Sequence, residues 1–277
     1  MEIWHAILLG IVEGITEFLP ISSTGHLVLV EKLLGIPVDD RAVIGFTAVI
    51  QAGAIAAVLV YFARDIFRLV SAWVRGLFSA QARQSPDYRM AWYVIVGSVP
   101  IVVAGYLGRD LLTDGGIWSL WTVAIGMIVW SGVMAFAEYA ATYVRTEAHL
   151  NLKDAIVIGL SQVLSLFPGV SRAGATITVG LLCDLDRVTA TRLSFFLGIP
   201  ALVGAGVLEL GEVRNGDSVS TAALVVGTVV SFVVAYAAIA WLLRFVARHS
   251  LMTFVWYRLG LGVLIIVLLT TGVITAT

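Results

Sequence analysis

Six long apolar stretches constrain the fold of this chain more than any other feature. They comprise residues 43–62, 92–107, 117–137, 193–208, 224–243 and 255–273. A helix of about 20 apolar residues crosses the hydrocarbon core of a bilayer. The chain is 60% hydrophobic and 13% charged, whereas an ordinary soluble domain is about 25% charged. The sequence therefore predicts an all-α polytopic membrane protein with six transmembrane helices, and it excludes an average soluble enzyme.

Two further apolar segments, 7–34 and 155–182, are interrupted near their middle. Residues 20–25 read PISSTG and residues 168–174 read PGVSRAG. Each half has only about 12–15 residues, or about 20 Å of helix, which is too short for a core of about 30 Å. Bent backbone at membrane depth is tolerated only inside protein or beside a water-filled cavity. We therefore predict two re-entrant helical hairpins.

The two halves of the chain resemble each other, which predicts one membrane domain built from two repeats, from residue 1 to about 145 and from 151 to 277. The matches are AILLG at 6–10 with AIVIG at 155–159, Glu13 with Gln162, Ser23 with Ser171, Phe46 with Phe195, and GSV at 97–99 with GTV at 227–229. Three spans per half is an odd number, so the second repeat is predicted to lie inverted, with both bends facing one cavity. The alternative is chance similarity between apolar sequences.

Positive charges predict the orientation in the cell membrane, because cytoplasmic loops carry an excess of Lys and Arg. Arg64, Arg68, Arg75, Arg83 and Arg89 follow the first span, and Arg244 and Arg248 follow the fifth, with Arg258 close by. The opposing loops contain Asp110, Asp114, Glu209, Glu212 and Asp217. Both termini are therefore predicted outside, with a site that opens to the outer face.

Two carboxylates, Glu13 and Glu17, lie four residues apart in the first broken segment and so share one helix face. A carboxylate at membrane depth costs several kcal/mol unless it takes a proton, and its presence indicates function. The alternative is that both lie near the interface and bind neighbouring amides. Because a serine-rich bend follows directly, we predict that the pair is catalytic.

That bend continues with Ser22, Ser23, Thr24, Gly25 and His26. Ser and Thr are common helix N-caps, but capping explains only one of three hydroxyl groups. A helix start with several hydroxyl and free N–H groups also binds anions. We predict that Ser22 and Thr24 bind substrate and that Ser23 and His26 are catalytic, although a lone histidine on an apolar face is often structural.

The second bend contains Arg172 within a run of apolar and small residues. A structural arginine there needs an acidic partner, whereas a functional one suits phosphate, which matches its planar fork. Flanking glycines let a ligand approach the backbone. The residues predicted to bind substrate with it are Gly169, Ser171, Gly174 and Thr176, with Gln51 of the first span lining the cavity.

The charges of these groups do not cancel, because Glu13 and Glu17 supply −2 and Arg172 only +1. A divalent cation between the carboxylates and a phosphate would supply the missing positive charge. Protonation of one glutamate would instead remove the excess negative charge. The first alternative predicts a divalent cation site at Glu13 and Glu17, for which Mg²⁺ is the expected ion, and the second needs no metal. The net charge of −1 gives no reason to expect a nucleic-acid partner.

Two long motifs carry a family resemblance: EGITEFLPISSTGH at 13–26 and PGVSRAGAT at 168–176. They resemble the signatures of the undecaprenyl-diphosphatase family, the bacitracin-resistance proteins, and VIQAG at 49–53 resembles a third family segment. The resemblance implies a membrane phosphatase that converts undecaprenyl diphosphate to the monophosphate and phosphate, recycling the lipid carrier of cell-wall synthesis. It implies functional roles for Glu13, Glu17, Ser23, His26, Ser171, Arg172 and Thr176. Ala173 departs from the family, which usually has serine after the arginine.

A transporter or flippase of polyprenyl phosphate is the alternative function. Inverted repeats and broken helices are features of transporters as much as of enzymes. It ranks second because transport alone does not need an acid, a serine, a histidine and an arginine together. The predicted partners are a polyprenyl diphosphate and membrane lipids; the sequence leaves the oligomeric state open and is compatible with a homodimer.

Overall fold

The computed structural model describes residues 2–38, 40–108, 119–212 and 219–276. These residues form eleven α-helices, two short 3₁₀ turns and no β-strand. The helices are α1 (Ile3–Thr16), α2 (Ser23–Leu33), α3 (Arg41–Tyr61), α4 (Ala63–Phe78), α5 (Pro86–Leu107), α6 (Leu120–Ala140), α7 (Leu152–Leu164), α8 (Arg172–Leu182), α9 (Arg187–Glu212), α10 (Thr221–Val246) and α11 (Met252–Thr270).

Six of these helices are long and apolar enough to cross a membrane: α3, α5, α6, α9 as far as Val207, α10 and α11. Each of them overlaps one of the six apolar stretches of the sequence. Local caps help to define where they begin, since Ser119 and Thr122 form a capping box at α6, and Ser85 caps α5 directly before Pro86. The prediction of an all-α polytopic membrane protein with six spans is confirmed.

The two interrupted segments fold into pairs of short helices, α1 with α2 and α7 with α8. Their lengths are 14, 11, 13 and 11 residues. The chain between them leaves the helical path through positive φ angles, 77° at Ser22, 88° at Gly169 and 73° at Ser171. The predicted breaks are therefore present. Their re-entrant course through a membrane stays a prediction.

Corresponding helices of the two halves make corresponding contacts. Helix α1 packs on α10 and α7 packs on α5, while α3 packs on α10 and α9 on α5. A Cβ on Gly10 would lie 2.6 Å from the carbonyl oxygen of Gly227, and a Cβ on Gly159 would meet the carbonyl of Gly97. These glycines allow each short helix to touch the backbone of its neighbour. The inverted repeat itself stays a prediction.

Three of the five arginines after the first span, Arg64, Arg68 and Arg75, lie on a helix instead of the predicted loop. Helix α4 begins two residues after α3 ends. It buries Leu69 and Gly76 against the protein. Its exposed apolar side chains are Phe67, Val70, Val74, Leu77 and Phe78. An amphipathic helix with arginines beside an apolar face suits a membrane surface.

The orientation of the chain stays a prediction. Asp110, Asp114 and Asp217, which supply much of the opposing negative charge, lie outside the described residues. Glu209 and Glu212 belong to the last turn of α9, but their side chains also lie outside the description.

Candidate active site

The two bends meet at one polar cavity of about 160 Å³. Its lining residues are Glu17, Ser22, Ser23, Thr24, Gln51, Ser165, Phe167, Pro168, Gly169, Ser171 and Arg172. Eight of the twelve predicted site residues are among them. Glu13, His26, Gly174 and Thr176 do not line the cavity. Ser165, Phe167 and Pro168 do, although the sequence analysis assigns them no role.

An ion pair joins the two bends across this cavity. Arg172 Nη2 donates to Glu17 Oε1 at 3.4 Å, and the two side chains are only 12% and 7% exposed. The carboxylate also accepts a hydrogen bond at its other oxygen, from Ser23 Oγ at 2.7 Å. A charge-assisted bond is usually about 2.7–2.9 Å long. The arginine is therefore held loosely, while the serine is held firmly by the same carboxylate.

Arg172 has unused hydrogen-bonding capacity. Its Nη1 is buried and has no hydrogen-bond partner among the described residues. A Cβ on Gly198 of α9 would collide with this nitrogen, so the glycine provides the space for the guanidinium. Because buried donors are normally paired, an unpaired one beside a polar cavity is suited to binding an anion.

His26 lies behind the first bend rather than in the cavity. Its Nδ1 is 2.7 Å from the carbonyl oxygen of Ser22, which can only accept, so Nδ1 carries the proton. In the neutral ring Nε2 then accepts from Tyr257 Oη, also at 2.7 Å. The two rings stack with centroids 5.6 Å apart. With both nitrogens occupied, His26 supports the bend, and Glu17 is the group placed to accept a proton from Ser23.

Glu13 lies one turn before Glu17 and is 1% exposed. No cluster of three or more His, Cys, Asp or Glu side chains that could hold a metal ion is present in ranges 2–38, 40–108, 119–212 and 219–276. Mg²⁺ is commonly bound by one or two carboxylates together with substrate phosphates. Of the two glutamates only Glu17 lines the cavity, where a ligand could supply the remaining oxygens, while Glu13 lies one turn behind it.

Residues of the second motif that lie on α8 and at its N-cap support the cavity. Thr176 Oγ1 donates to the carbonyl of Arg172 at 2.9 Å and is hydrogen-bonded to Ser194 Oγ of α9 at 2.6 Å. The N–H of Gly174 donates to Ser171 Oγ at 3.2 Å, which caps the helix. Ala173, at the position where the family usually has serine, is 1% exposed and belongs to the apolar core.

The caps of α2 and α8 have similar backbone geometry. Ser22 and Ser171 are both N-caps with positive φ, and they lie 149 residues apart, the spacing that also separates Phe46 from Phe195. Ser23 and Arg172 are the first residues of the two helices. The repeat itself stays a prediction, and this spacing differs by one residue from its match of Ser23 with Ser171.

Arg258 is the main site feature that the sequence motifs do not predict. It stands near the arginines that predict orientation, but its side chain is 0% exposed and lies within α11. Its guanidinium donates to the carbonyl oxygens of Pro20 and Gly169, one in each bend. The available signal was a charged residue inside an apolar span, which usually marks a functional region.

Comparisons with known proteins agree along nearly the whole chain. The family model described as bacitracin resistance protein BacA matches residues 6–264. Undecaprenyl-diphosphatase 1 of Streptomyces coelicolor is 58% identical over 275 residues, covering 99% of this chain and 98% of that protein. The undecaprenyl-diphosphatase of Cutibacterium acnes is 49% identical over 98% of this chain and 99% of its own length. That of Mycobacterium ulcerans is 46% identical over the full length of both chains.

Proposed function

The chain belongs to the family of the bacitracin resistance protein BacA, and from this membership we infer that it is a membrane undecaprenyl-diphosphatase. It hydrolyses undecaprenyl diphosphate to undecaprenyl phosphate and inorganic phosphate, which returns the lipid carrier to cell-wall synthesis. One observation carries the assignment to this site: a single cavity joins Glu17 and Ser23 of the first bend to Arg172 of the second. A general base, a nucleophile and a phosphate-binding cation are groups that phosphoryl transfer commonly uses.

The size of the cavity suits the headgroup of such a lipid. Its volume of about 160 Å³ is below the 300–1,000 Å³ of a typical small-molecule pocket. A diphosphate group fits into a cavity of this volume, whereas a long isoprenoid chain does not. The tail therefore stays in the bilayer, and only the polar end enters the protein.

We propose that Arg172 binds the terminal phosphate. Its free Nη1 and the loosely held Nη2 supply two parallel donors, the arrangement that recognises phosphate oxygens best. The N–H groups at the starts of α2 and α8 add further donors for the anion. These groups stabilise the negative charge that spreads over the phosphoryl oxygens in the transition state.

Ser23 is the proposed nucleophile and Glu17 the proposed general base. As Ser23 Oγ forms a bond to the terminal phosphorus, its proton passes to Glu17, with which it is already hydrogen-bonded at 2.7 Å. The bond from that phosphorus to the bridging oxygen breaks, and undecaprenyl phosphate leaves. Water then hydrolyses the phosphoserine. The alternative step is direct attack by a water that Ser23 and Glu17 orient.

A divalent cation, Mg²⁺, is proposed to bind at Glu17 and Glu13 together with the substrate. When bound, it would neutralise charge on the phosphate oxygens. Phosphate release is therefore expected to fall after treatment with EDTA and to return on addition of Mg²⁺. Full activity in EDTA would contradict the metal and leave the roles of Glu17, Ser23 and Arg172 unaffected.

The enzymatic assignment is tested with purified protein in detergent. Undecaprenyl diphosphate should release inorganic phosphate, because hydrolysis needs one compartment whereas transport needs two. Arg172→Ala and Glu17→Ala should abolish release while the protein still elutes as a folded species. An intact wild-type preparation that releases no phosphate would refute the assignment and favour transport.

We also propose that both termini and the opening of the cavity face the outside of the cell. In a Cys183→Ser background, an impermeant thiol reagent on intact cells should label Thr221→Cys but not Ser79→Cys. Both positions are exposed in the structure. The reverse labelling would overturn the orientation. A homodimer stays a separate prediction, which light scattering in detergent tests.

A further inference from the structure

One buried guanidinium connects the two bends from behind the cavity. Arg258 does not line the cavity and is 0% exposed. Its Nη1 donates to the carbonyl oxygen of Pro20 at 3.1 Å, and its Nη2 donates to that of Gly169 at 2.8 Å. Pro20 belongs to the first bend and Gly169 to the second. A single side chain thus pairs with the backbone of both.

Helix α6 holds the same guanidinium from a third side. Arg258 Nε donates to Ser131 Oγ at 3.3 Å, and Nη2 lies 3.4 Å from the carbonyl oxygen of Met127. No ion pair to Arg258 is present in the part of the chain that the structure describes. A buried cation is costly unless its donors are satisfied. Backbone carbonyls from three segments do this here in place of a carboxylate.

The two bend carbonyls occupy equivalent positions of the proposed repeat. Pro20 and Gly169 lie 149 residues apart, the same spacing as the two N-caps, Ser22 and Ser171. Arg258 therefore binds the same point of each bend, two residues before each short helix's cap. The fork shape of a guanidinium permits this double contact, whereas an ammonium group is a compact point charge.

The ion pair between Glu17 and Arg172 cannot hold the bends together throughout the reaction. It faces the cavity and spans 3.4 Å, so an incoming phosphate competes for the same arginine. Arg258 itself does not line the cavity, and although its partner Gly169 does, the carbonyl oxygens that Arg258 binds are already occupied by its guanidinium. Among the described residues, the link through Arg258 is the one between the bends that does not depend on substrate.

We propose that Arg258 is a positioning residue that keeps the two bends at the spacing required for reaction. It holds Ser23 and Glu17 opposite Arg172 while the substrate occupies Arg172. The catalytic part of this inference rests on the proposed function, but the geometric part does not. A misplacement of about 1 Å can reduce a rate about 100-fold, so loss of this contact is expected to act mainly on kcat.

The geometric part is tested by distance measurements without substrate. Nitroxide labels are placed at Leu33→Cys and Leu182→Cys, both exposed and at the ends of α2 and α8, in a Cys183→Ser background. Pulsed electron resonance should give a narrow distance distribution. Arg258→Lys should broaden or shift it, whereas Arg244→Lys, an exposed arginine on α10, should not. An unchanged distribution in Arg258→Lys would overturn the proposal.

A second variant, Glu17→Gln, tests whether the ion pair holds the bends together, and it does so even if Arg258→Lys fails to fold. Glu17→Gln removes the ion pair but leaves Arg258 in place, so the distance distribution should stay narrow. A broadened distribution in Glu17→Gln would show that the ion pair holds the bends and would also overturn the proposal. Neither measurement requires turnover. The result therefore tests the geometric part even if the proposed function is wrong.

Kinetics then test the catalytic part with unlabelled protein. Arg258→Lys is expected to lower kcat by about ten-fold or more, while KM for undecaprenyl diphosphate changes by less than about three-fold. Arg244→Lys should match the wild type in both parameters. A rise in KM at unchanged kcat would contradict a positioning role in the chemical step.

Discussion

Replacing Gly198 with alanine is expected to displace Arg172 without removing any functional group. Gly198 lies on α9 and is buried beside the guanidinium. A Cβ at this position would overlap Arg172 Nη1 and would lie 2.7 Å from Cζ, whereas ordinary contacts are 3.4–4 Å. The guanidinium must therefore retreat by about 2 Å at Nη1, and a displacement of even about 1 Å can cost about 100-fold in rate.

The same overlap predicts a loss of stability. Inserting a methyl group into a packed site typically costs about 1–3 kcal/mol. Alanine in a helix is about 1 kcal/mol more favourable than glycine, which offsets part of this cost. Gly204→Ala on the same helix is the matched control, because a Cβ there meets no atom within 4 Å. Only the Gly198 variant should lower the thermal midpoint.

Phosphate release and thermal unfolding in detergent measure the two effects. In an Arg172→Ala background the methyl group has no guanidinium to meet, so Gly198→Ala should no longer destabilise the protein. Such non-additivity identifies the contact directly. Activity of Gly198→Ala within about three-fold of Gly204→Ala, or an equal loss of stability in both backgrounds, would refute the reasoning.

Three further substitutions test the remaining roles. Arg172→Lys keeps the charge but loses the fork, so kcat/KM should fall about 100-fold in the phosphate-release assay; near-normal activity would remove the phosphate-binding role. Ser23→Ala should abolish turnover. It should also abolish the phosphoserine intermediate, which is detected in the wild type as an acid-stable phosphoprotein after an acid quench, whereas substantial residual activity would favour attack by water. Tyr257→Phe removes the donor to His26 and should destabilise the protein by about 1 kcal/mol with kcat reduced less than ten-fold; complete inactivation would instead indicate that His26 takes part in proton transfer.

The span prediction follows from local properties and needed no tertiary information. Whether a helix crosses a bilayer depends on its length and apolarity, both of which can be counted along the chain. The breaks at the two bends are equally local, because proline, glycine and serine disfavour a continuous helix. The exception is α4, for which the arginines suggested a loop. The apolar side chains spaced along one face of this segment indicate a helix.

The composition of the cavity was only partly predictable. Glu17, Ser23 and Arg172 face one another as the paired motifs suggested. Glu13 and Thr176 belong to the same motifs and share a helix face with Glu17 and Arg172, but each lies one helical turn further from its bend and does not line the cavity. His26 is held by Tyr257, which lies 231 residues further along the chain.

The membrane-spanning helices, the two bends and the residue types that chemistry on a phosphate requires can be predicted from the sequence, since each follows from neighbouring residues. Which of those side chains meet, and that one arginine binds both bends, depends on how distant segments pack. Arg258 reaches Pro20 across 238 residues and Gly169 across 89. Its partners are backbone carbonyls, which every residue has, so no pattern of side chains along the chain could have identified them.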